Sequence, residues 1–66
     1  KGIPKFLGSL SNLRCLDLSL CAFGGKIPTQ FGSLSHLKYL NLAWNYLEGS
    51  IPPQLGNLSL QHLDLN

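Results

Sequence analysis

Several residue types are scarce in this 66-residue chain, and each scarcity argues against a class of protein. Only 12% of the residues are charged, and the five Lys and Arg are scattered, so they do not form the basic stripe that nucleic-acid binding requires. No apolar run approaches the roughly 20 residues of a membrane-spanning helix. The two Cys are too few for the disulfide framework of a small secreted domain. Two Cys and two His without close spacing do not match a zinc site either.

The chain is also short of the features that mark a complete secreted protein. It does not begin with Met and has no signal-peptide pattern and no charged tail. We therefore expect a piece of a longer protein. At 7.2 kDa it can form one small domain, which buries only about 60% of its unfolded surface.

Leucine is the abundant residue, and it recurs with a fixed period. Sixteen Leu make up about a quarter of the chain, whereas Val and Met are absent. When residues 10–33 are aligned without gaps on residues 34–57, ten of the 24 positions are identical. Residues 1–9 match the end of the same unit, and residues 58–66 begin another. The sequence therefore predicts two complete repeats between two partial ones, with no capping module at either end.

Each repeat contains one short segment of alternating leucines. Leu16 and Leu18, and equally Leu40 and Leu42, recur with a period of two, which predicts a short strand with one buried face. A Gly-x-Ile-Pro segment follows and is expected to end the strand, because Pro lacks a backbone N–H. Residues 28–33 and their counterparts are too short and too rich in Pro and Gly for a long helix, so we predict 3₁₀ or irregular turns there.

One strand per 24 residues cannot bury its own leucines, so the repeats must stack as a solenoid with a parallel sheet. Such strands lie about 4.8 Å apart. Each turn of the chain places a polar group at an inner corner, and the amide of Asn45 can bond the backbone of neighbouring turns there. Cys21 holds the same position one repeat earlier and is expected to be buried. Cys15 is expected to face outward, so the two thiols should not form a disulfide.

At this point the chain resembles a known family. The pattern L-x-x-L-x-L-x-x-N/C-x-L over residues 13–23 and 37–47 resembles the leucine-rich repeat signature. The Gly-x-Ile-Pro continuations at residues 25–28 and 49–52 resemble the plant-specific extracellular subtype. The resemblance implies a right-handed solenoid whose sheet lines a concave surface, with 3₁₀ or irregular turns on the convex side. It also implies a surface that binds peptides, proteins or a co-receptor and performs no chemistry.

Two departures from the family pattern carry structural expectations. The spacing between Leu58 and Leu63 is one residue short, and we expect the loop before the third strand to absorb the deletion. The cysteine-bearing caps that usually close such arrays are absent. Uncapped ends expose apolar surface, so the chain is expected to be marginally stable or to self-associate through its ends.

The side chains that alternate with the buried leucines are expected to form three columns on the concave face. The columns are Cys15, Tyr39, His62; Asp17, Asn41, Asp64; and Ser19, Ala43, Asn66, flanked by Arg14, Lys38 and Gln61 on one side and by Leu20 and Trp44 on the other. The predicted partner-binding residues are Arg14, Asp17, Lys38, Tyr39, Asn41, Trp44, His62 and Asp64. Aromatic side chains such as Tyr39 and Trp44 beside polar groups are typical of protein-binding surfaces, although every leucine-rich repeat has some residue at these positions. Arg14 and Lys38 either receive an acidic group of a ligand or simply serve solubility.

The carboxylates of Asp17 and Asp64 are the only pair that resembles a catalytic arrangement. They lie two strands apart, about 9.6 Å by the strand spacing, near the upper limit for an inverting glycosidase. Asn41 lies between them on an open surface where nothing would raise a carboxyl pKa, so we interpret them as part of a solvated polar row. Cys15 and His62 are likewise too far apart for a thiolate–imidazole pair. We predict no enzyme activity, no metal site and no cofactor.

Asn57-Leu58-Ser59 is an N-glycosylation sequon on an outer turn, which fits an extracellular or cell-surface protein. The leading hypothesis is a binding module from a plant receptor-like protein or receptor kinase, of the disease-resistance or developmental kind. One alternative is a soluble cell-wall enzyme inhibitor of the polygalacturonase-inhibitor type. A structural spacer without a ligand is the other. None of these requires nucleic acid or insertion of this segment into a membrane.

Overall fold

The computed structural model describes residues 1–66, and the same short elements recur along the chain. In chain order they are the 3₁₀ helix η1 (Lys5–Ser9), strand β1 (Cys15–Asp17), strand β2 (Gly24–Gly25), helix η2 (Thr29–Ser33), strand β3 (Tyr39–Asn41), strand β4 (Tyr46–Leu47), helix η3 (Pro53–Asn57) and strand β5 (His62–Asp64). None of the helices has the length and hydropathy needed to cross a bilayer.

Strands β1, β3 and β5 form a parallel sheet in the order β1-β3-β5, here called the main sheet. Cys15 pairs with Tyr39, and Tyr39 pairs with His62. The ladder continues beyond the assigned strands, since the backbone N–H of Leu18 donates to the carbonyl of Asn41 at 2.9 Å. This register confirms the predicted parallel sheet, to which each repeat contributes one strand with equivalent residues side by side.

A second, two-stranded parallel sheet, here called the small sheet, joins β2 to β4. Gly24 pairs with Tyr46 and Gly25 with Leu47, and the Tyr46 N–H donates to the Phe23 carbonyl at 2.7 Å. The sequence did not predict this second pairing, but β2 ends at Gly25 and β4 at Leu47, in agreement with the expectation that the Gly-x-Ile-Pro segment ends the strand. The main sheet already holds successive turns one strand spacing apart, so backbone groups beyond the corner can pair whatever side chains they carry.

The three 3₁₀ helices stack on the side of the repeats that follows each Pro. Pro4, Pro28 and Pro52 precede them in extended conformation, and the helices confirm the short turns predicted for these segments. The helices approach so closely that a Cβ on Gly32 would lie 2.7 Å from the Cβ of Gln54. Only glycine at position 32 therefore allows η2 and η3 to approach this closely.

The hydrophobic core lies in the middle of the chain, between the main sheet and the helices. The side chains without exposed surface are Phe31, Leu34, Leu37 and Leu40. Towards the ends burial decreases, and Leu63, the counterpart of the buried Leu16 and Leu40 in β5, keeps 44% of its surface exposed. No further strand packs on β5 within the 66 residues, so that leucine has no cover on one side.

The one-residue deletion is absorbed before the third strand, as predicted. Leu10 and Leu34, which end η1 and η2, have ψ values of 72° and 69° and lead into a turn, whereas Leu58 after η3 is extended with ψ 147°. The chain crosses directly to β5 at this point, and the pairing of Tyr39 with His62 keeps the register.

Candidate functional site

The register of the main sheet brings the predicted columns together on one exposed face. Leu16 and Leu40 are buried, and the residues on either side of them point outward. We call this surface the sheet face and define it by the first two columns and their apolar margin: Cys15, Tyr39, His62, Asp17, Asn41, Asp64, Leu20 and Trp44.

Tyr39 and His62 form a stacked aromatic pair in the first column. Their ring centroids lie 4.7 Å apart with an angle of 8° between the planes. The separation matches the strand spacing of about 4.8 Å, so the parallel register itself produces the stack. Cys15, the third member of the column, is exposed and carries no ring, so the stack ends at Tyr39 on that side.

The second column is a row of three side chains held in the same orientation. In each case one side-chain oxygen accepts a hydrogen bond from the backbone N–H two residues later: Asp17 from Ser19 at 3.0 Å, Asn41 from Ala43 at 3.0 Å and Asp64 from Asn66 at 3.1 Å. The Asn41 amide nitrogen also lies 3.5 Å from the Tyr39 hydroxyl. The column therefore presents a repeated, oriented set of polar groups beside the aromatic pair.

Hydrogen bonds lower the pKa of Asp17 below its usual value of 3.8. The largest cause is the Ser19 hydroxyl, whose oxygen lies 2.6 Å from the carboxylate, followed by the Ser19 backbone N–H. Slight burial acts in the opposite direction, and Asn41 contributes a further small lowering. A general acid needs a raised pKa, so the environment of Asp17 favours a fixed negative charge instead.

Leu20 and Trp44 form an exposed apolar margin of the sheet face. They are 76% and 70% exposed, and both have left-handed backbone conformations, with φ 56° and 59°. Non-glycine residues rarely adopt this conformation, which costs about 1 kcal/mol each. Neither position gains burial in return. Main-chain bonds, such as the Leu20 N–H to the Ala43 carbonyl at 3.0 Å, fix the geometry.

The third predicted column does not form a uniform exposed row. Ala43 is only 3% exposed, so its assignment to the outer surface is wrong. Ser19 is half-buried and Asn66 is exposed.

The inner corner is organised by Asn45. Its carbonyl oxygen accepts the backbone N–H groups of Cys21 at 3.1 Å and Phe23 at 3.0 Å, and its amide nitrogen donates to the carbonyls of Leu18 at 2.9 Å and Leu42 at 3.0 Å. Asn45 thus bonds the backbone of two successive turns.

The expected burial of Cys21 is wrong, since the residue is exposed. Residues 1–9 contain no corner equivalent to that of Cys21, so no preceding turn covers the thiol. Its sulfur instead donates to the Ser19 carbonyl at 3.2 Å.

The remaining predicted residues lie at the margins. Lys38 is half-buried and its ammonium donates to the Ser59 carbonyl at 3.4 Å, while Arg14 is exposed. Asn57 is exposed at the end of η3, away from the sheet face. No three His, Cys, Asp or Glu side chains lie close enough together to hold a metal ion.

Comparison with known proteins adds the family. Searching the curated proteins gives no match to this chain. The family model described as Leucine Rich Repeat matches residues 12–34 and 36–58. These segments contain strands β1 to β4. Leucine-rich repeats generally mediate protein–protein binding. The chain belongs to the leucine-rich repeat family.

Proposed function

We propose that this chain is a protein- or peptide-binding module of a plant cell-surface receptor and that the sheet face is its binding surface. The observation that carries the proposal is the exposed Trp44, held by a left-handed backbone beside the Tyr39–His62 stack. A solvent-exposed indole in a costly backbone conformation contributes little to the fold, whereas Trp and Tyr are enriched among the residues that dominate binding energy.

The composition of the sheet face supports recognition of a polypeptide. The aromatic pair and the Leu20–Trp44 margin supply apolar contact area, and the row Asp17, Asn41 and Asp64 supplies oriented hydrogen-bonding groups between them. Interfaces combine apolar anchors with satisfied polar groups in this way. Arg14 and Lys38 add positive charge at the opposite margin.

The receptor assignment rests on sequence features outside the sheet face. The Gly-x-Ile-Pro segments resemble the plant extracellular subtype, and the sequon residue Asn57 is exposed and distant from the proposed binding surface, so a glycan there would leave the sheet face open. The same features support an extracellular location at the cell surface.

The binding role is tested by replacing Tyr39 and Trp44 with Ala in the native protein that contains this stretch. We expect loss of partner binding. The matched control is Tyr46→Ala, because Tyr46 is 77% exposed but belongs to the small sheet. If the double variant binds its partner normally, these repeats are a spacer and the proposal is wrong.

The receptor role is tested separately with an antibody to this stretch. We expect a large, glycosylated species that partitions with membranes. A species that remains in the aqueous fraction and blocks a cell-wall hydrolase would replace the receptor proposal with the enzyme-inhibitor alternative, while leaving the binding role intact.

A further inference from the structure

The Tyr39–His62 stack has no third ring on the side of Cys15. In the column Cys15, Tyr39, His62, the register places equivalent side chains side by side, and the two rings lie almost parallel. One face of the Tyr39 ring contacts His62. The opposite face is turned towards β1, where the column residue is an exposed Cys15 with a short side chain.

The carboxylate of Asp17 lies on the same strand face as Cys15. Asp17 follows Cys15 by two residues on the same face of β1, hence about 6.6 Å along the strand. One of its oxygens is occupied by the Ser19 N–H and hydroxyl, which hold the carboxylate in place. Both bonds from Ser19 reach the same oxygen, and the Asn41 amide makes the smallest of the hydrogen-bond contributions that lower the pKa of Asp17.

No Lys or Arg of the chain pairs with Asp17 or stacks on Tyr39. The pKa of Asp17 is lowered by hydrogen bonds from Ser19 and Asn41, and no Lys or Arg contributes to the shift. The only cation that lies over an aromatic ring is Lys1 over Phe23, far from the column. Two of the three acidic residues of the chain, Asp17 and Asp64, lie on the sheet face, although the net charge of the chain is +2.

We propose that the Tyr39 ring face turned towards Cys15, together with the carboxylate of Asp17, receives an arginine side chain of the bound polypeptide. A guanidinium is planar, stacks on aromatic rings and pairs with a carboxylate through its fork of N–H groups. It would extend the Tyr39–His62 stack by one strand spacing and give Asp17 a charged donor, since Ser19 and Asn41 are neutral. Lysine has the charge but neither the plane nor the fork, and is expected to fit less well.

This inference rests on the proposed binding role of the sheet face and names the chemistry of its partner. Random linear peptides displayed on phage are selected on the intact 66-residue chain, and binders that are lost with Trp44→Asn are kept. We expect these to be enriched in arginine. In a synthetic copy, replacing that arginine with citrulline, its neutral planar analogue, should weaken binding by about tenfold, as expected for the loss of one charge-assisted pair.

The decisive comparison uses Asp17→Asn with Glu48→Gln as its control. Asparagine at position 17 keeps the oxygen that Ser19 bonds, since Asn41 makes the same bond one repeat later, so the variant should fold normally. Glu48 is exposed and lies outside the sheet face. The citrulline effect should disappear in Asp17→Asn and persist in Glu48→Gln.

The possible outcomes separate this inference from the function on which it rests. The arginine position is overturned if the selected peptides depend on Trp44 but contain no arginine. It is also overturned if the effect of replacing their arginine with citrulline is the same in Asp17→Asn. In both cases the binding role still stands. If no selected peptide depends on the sheet face, both are overturned.

Discussion

The side-chain oxygen of Asn45 accepts the backbone N–H of Cys21 from the preceding turn at 3.1 Å. The two residues are 24 positions apart and hold equivalent corners, but only Asn45 bridges two turns. Cys21 bonds a carbonyl of its own turn. The corner between successive repeats therefore depends on one amide.

Replacing Asn45 with Ala should destabilise the chain by about 2–4 kcal/mol, because it leaves backbone N–H and C=O groups of two turns without partners. The free energy of unfolding from urea titration measures this. Asn12→Ala is the control, since Asn12 is exposed in a turn. Equal stability of the two variants would show that the corner is not held by Asn45.

Glycine at position 32 should be required for stacking of the 3₁₀ helices. Gly32→Ala brings a Cβ to 2.7 Å from the Gln54 side chain and 2.9 Å from its carbonyl, so η2 and η3 must move apart, at a cost of about 1–3 kcal/mol. Gly56 is the equivalent glycine in η3 and has nothing within 4 Å of such a Cβ. Thermal unfolding should show a lower midpoint for Gly32→Ala only, and a similar loss in Gly56→Ala would contradict this packing.

Trp44→Asn should make the chain more stable while it abolishes binding. Asparagine tolerates the left-handed conformation at φ 59°, so about 0.5–1 kcal/mol of backbone strain is relieved, and the mostly exposed indole contributes little burial. Trp44→Leu is the control because it keeps the strain. If chemical denaturation shows that Asn and Leu at this position are equally stable, the strain argument is wrong.

The lowered pKa of Asp17 predicts a specific acid sensitivity. Because the folded pKa lies below the unfolded value, this group stabilises the fold above its usual pKa of 3.8, and that contribution is lost as the pH falls from there towards the lower folded pKa. Asp17→Asn should flatten the dependence of stability on pH in this acid window. Glu48→Gln should leave it unchanged, and the opposite pattern would contradict the assigned Ser19 hydrogen bonds.

The fold could be predicted from the sequence to the extent that it follows from periodicity. The alternation of Leu16, Leu18, Leu40 and Leu42 fixes one buried face per strand, and the 24-residue repeat then places equivalent residues side by side. This is why the neighbourhood of Tyr39 and His62 could be anticipated before any geometry was known.

Other features depend on backbone geometry that side-chain patterns do not encode. The small sheet forms between Gly24-Gly25 and Tyr46-Leu47, which show no common strand pattern. Leu20 and Trp44 have left-handed conformations, which these residue types do not favour. Their backbone hydrogen bonds to the neighbouring turn impose the conformation, and the sequence does not show those bonds. Exposure at the array ends, as for Cys21, depends on which turns are present and not on the repeat itself.

The most direct test of the central claim is a map of where a selected peptide contacts the chain, obtained from backbone amide chemical shifts on titration. The proposed function predicts that the largest changes fall in residues 15–20, 39–44 and 62–66, which form the main sheet and its apolar margin. Changes confined to the helices at residues 5–9, 29–33 and 53–57 would place the binding surface on the opposite side and contradict the account.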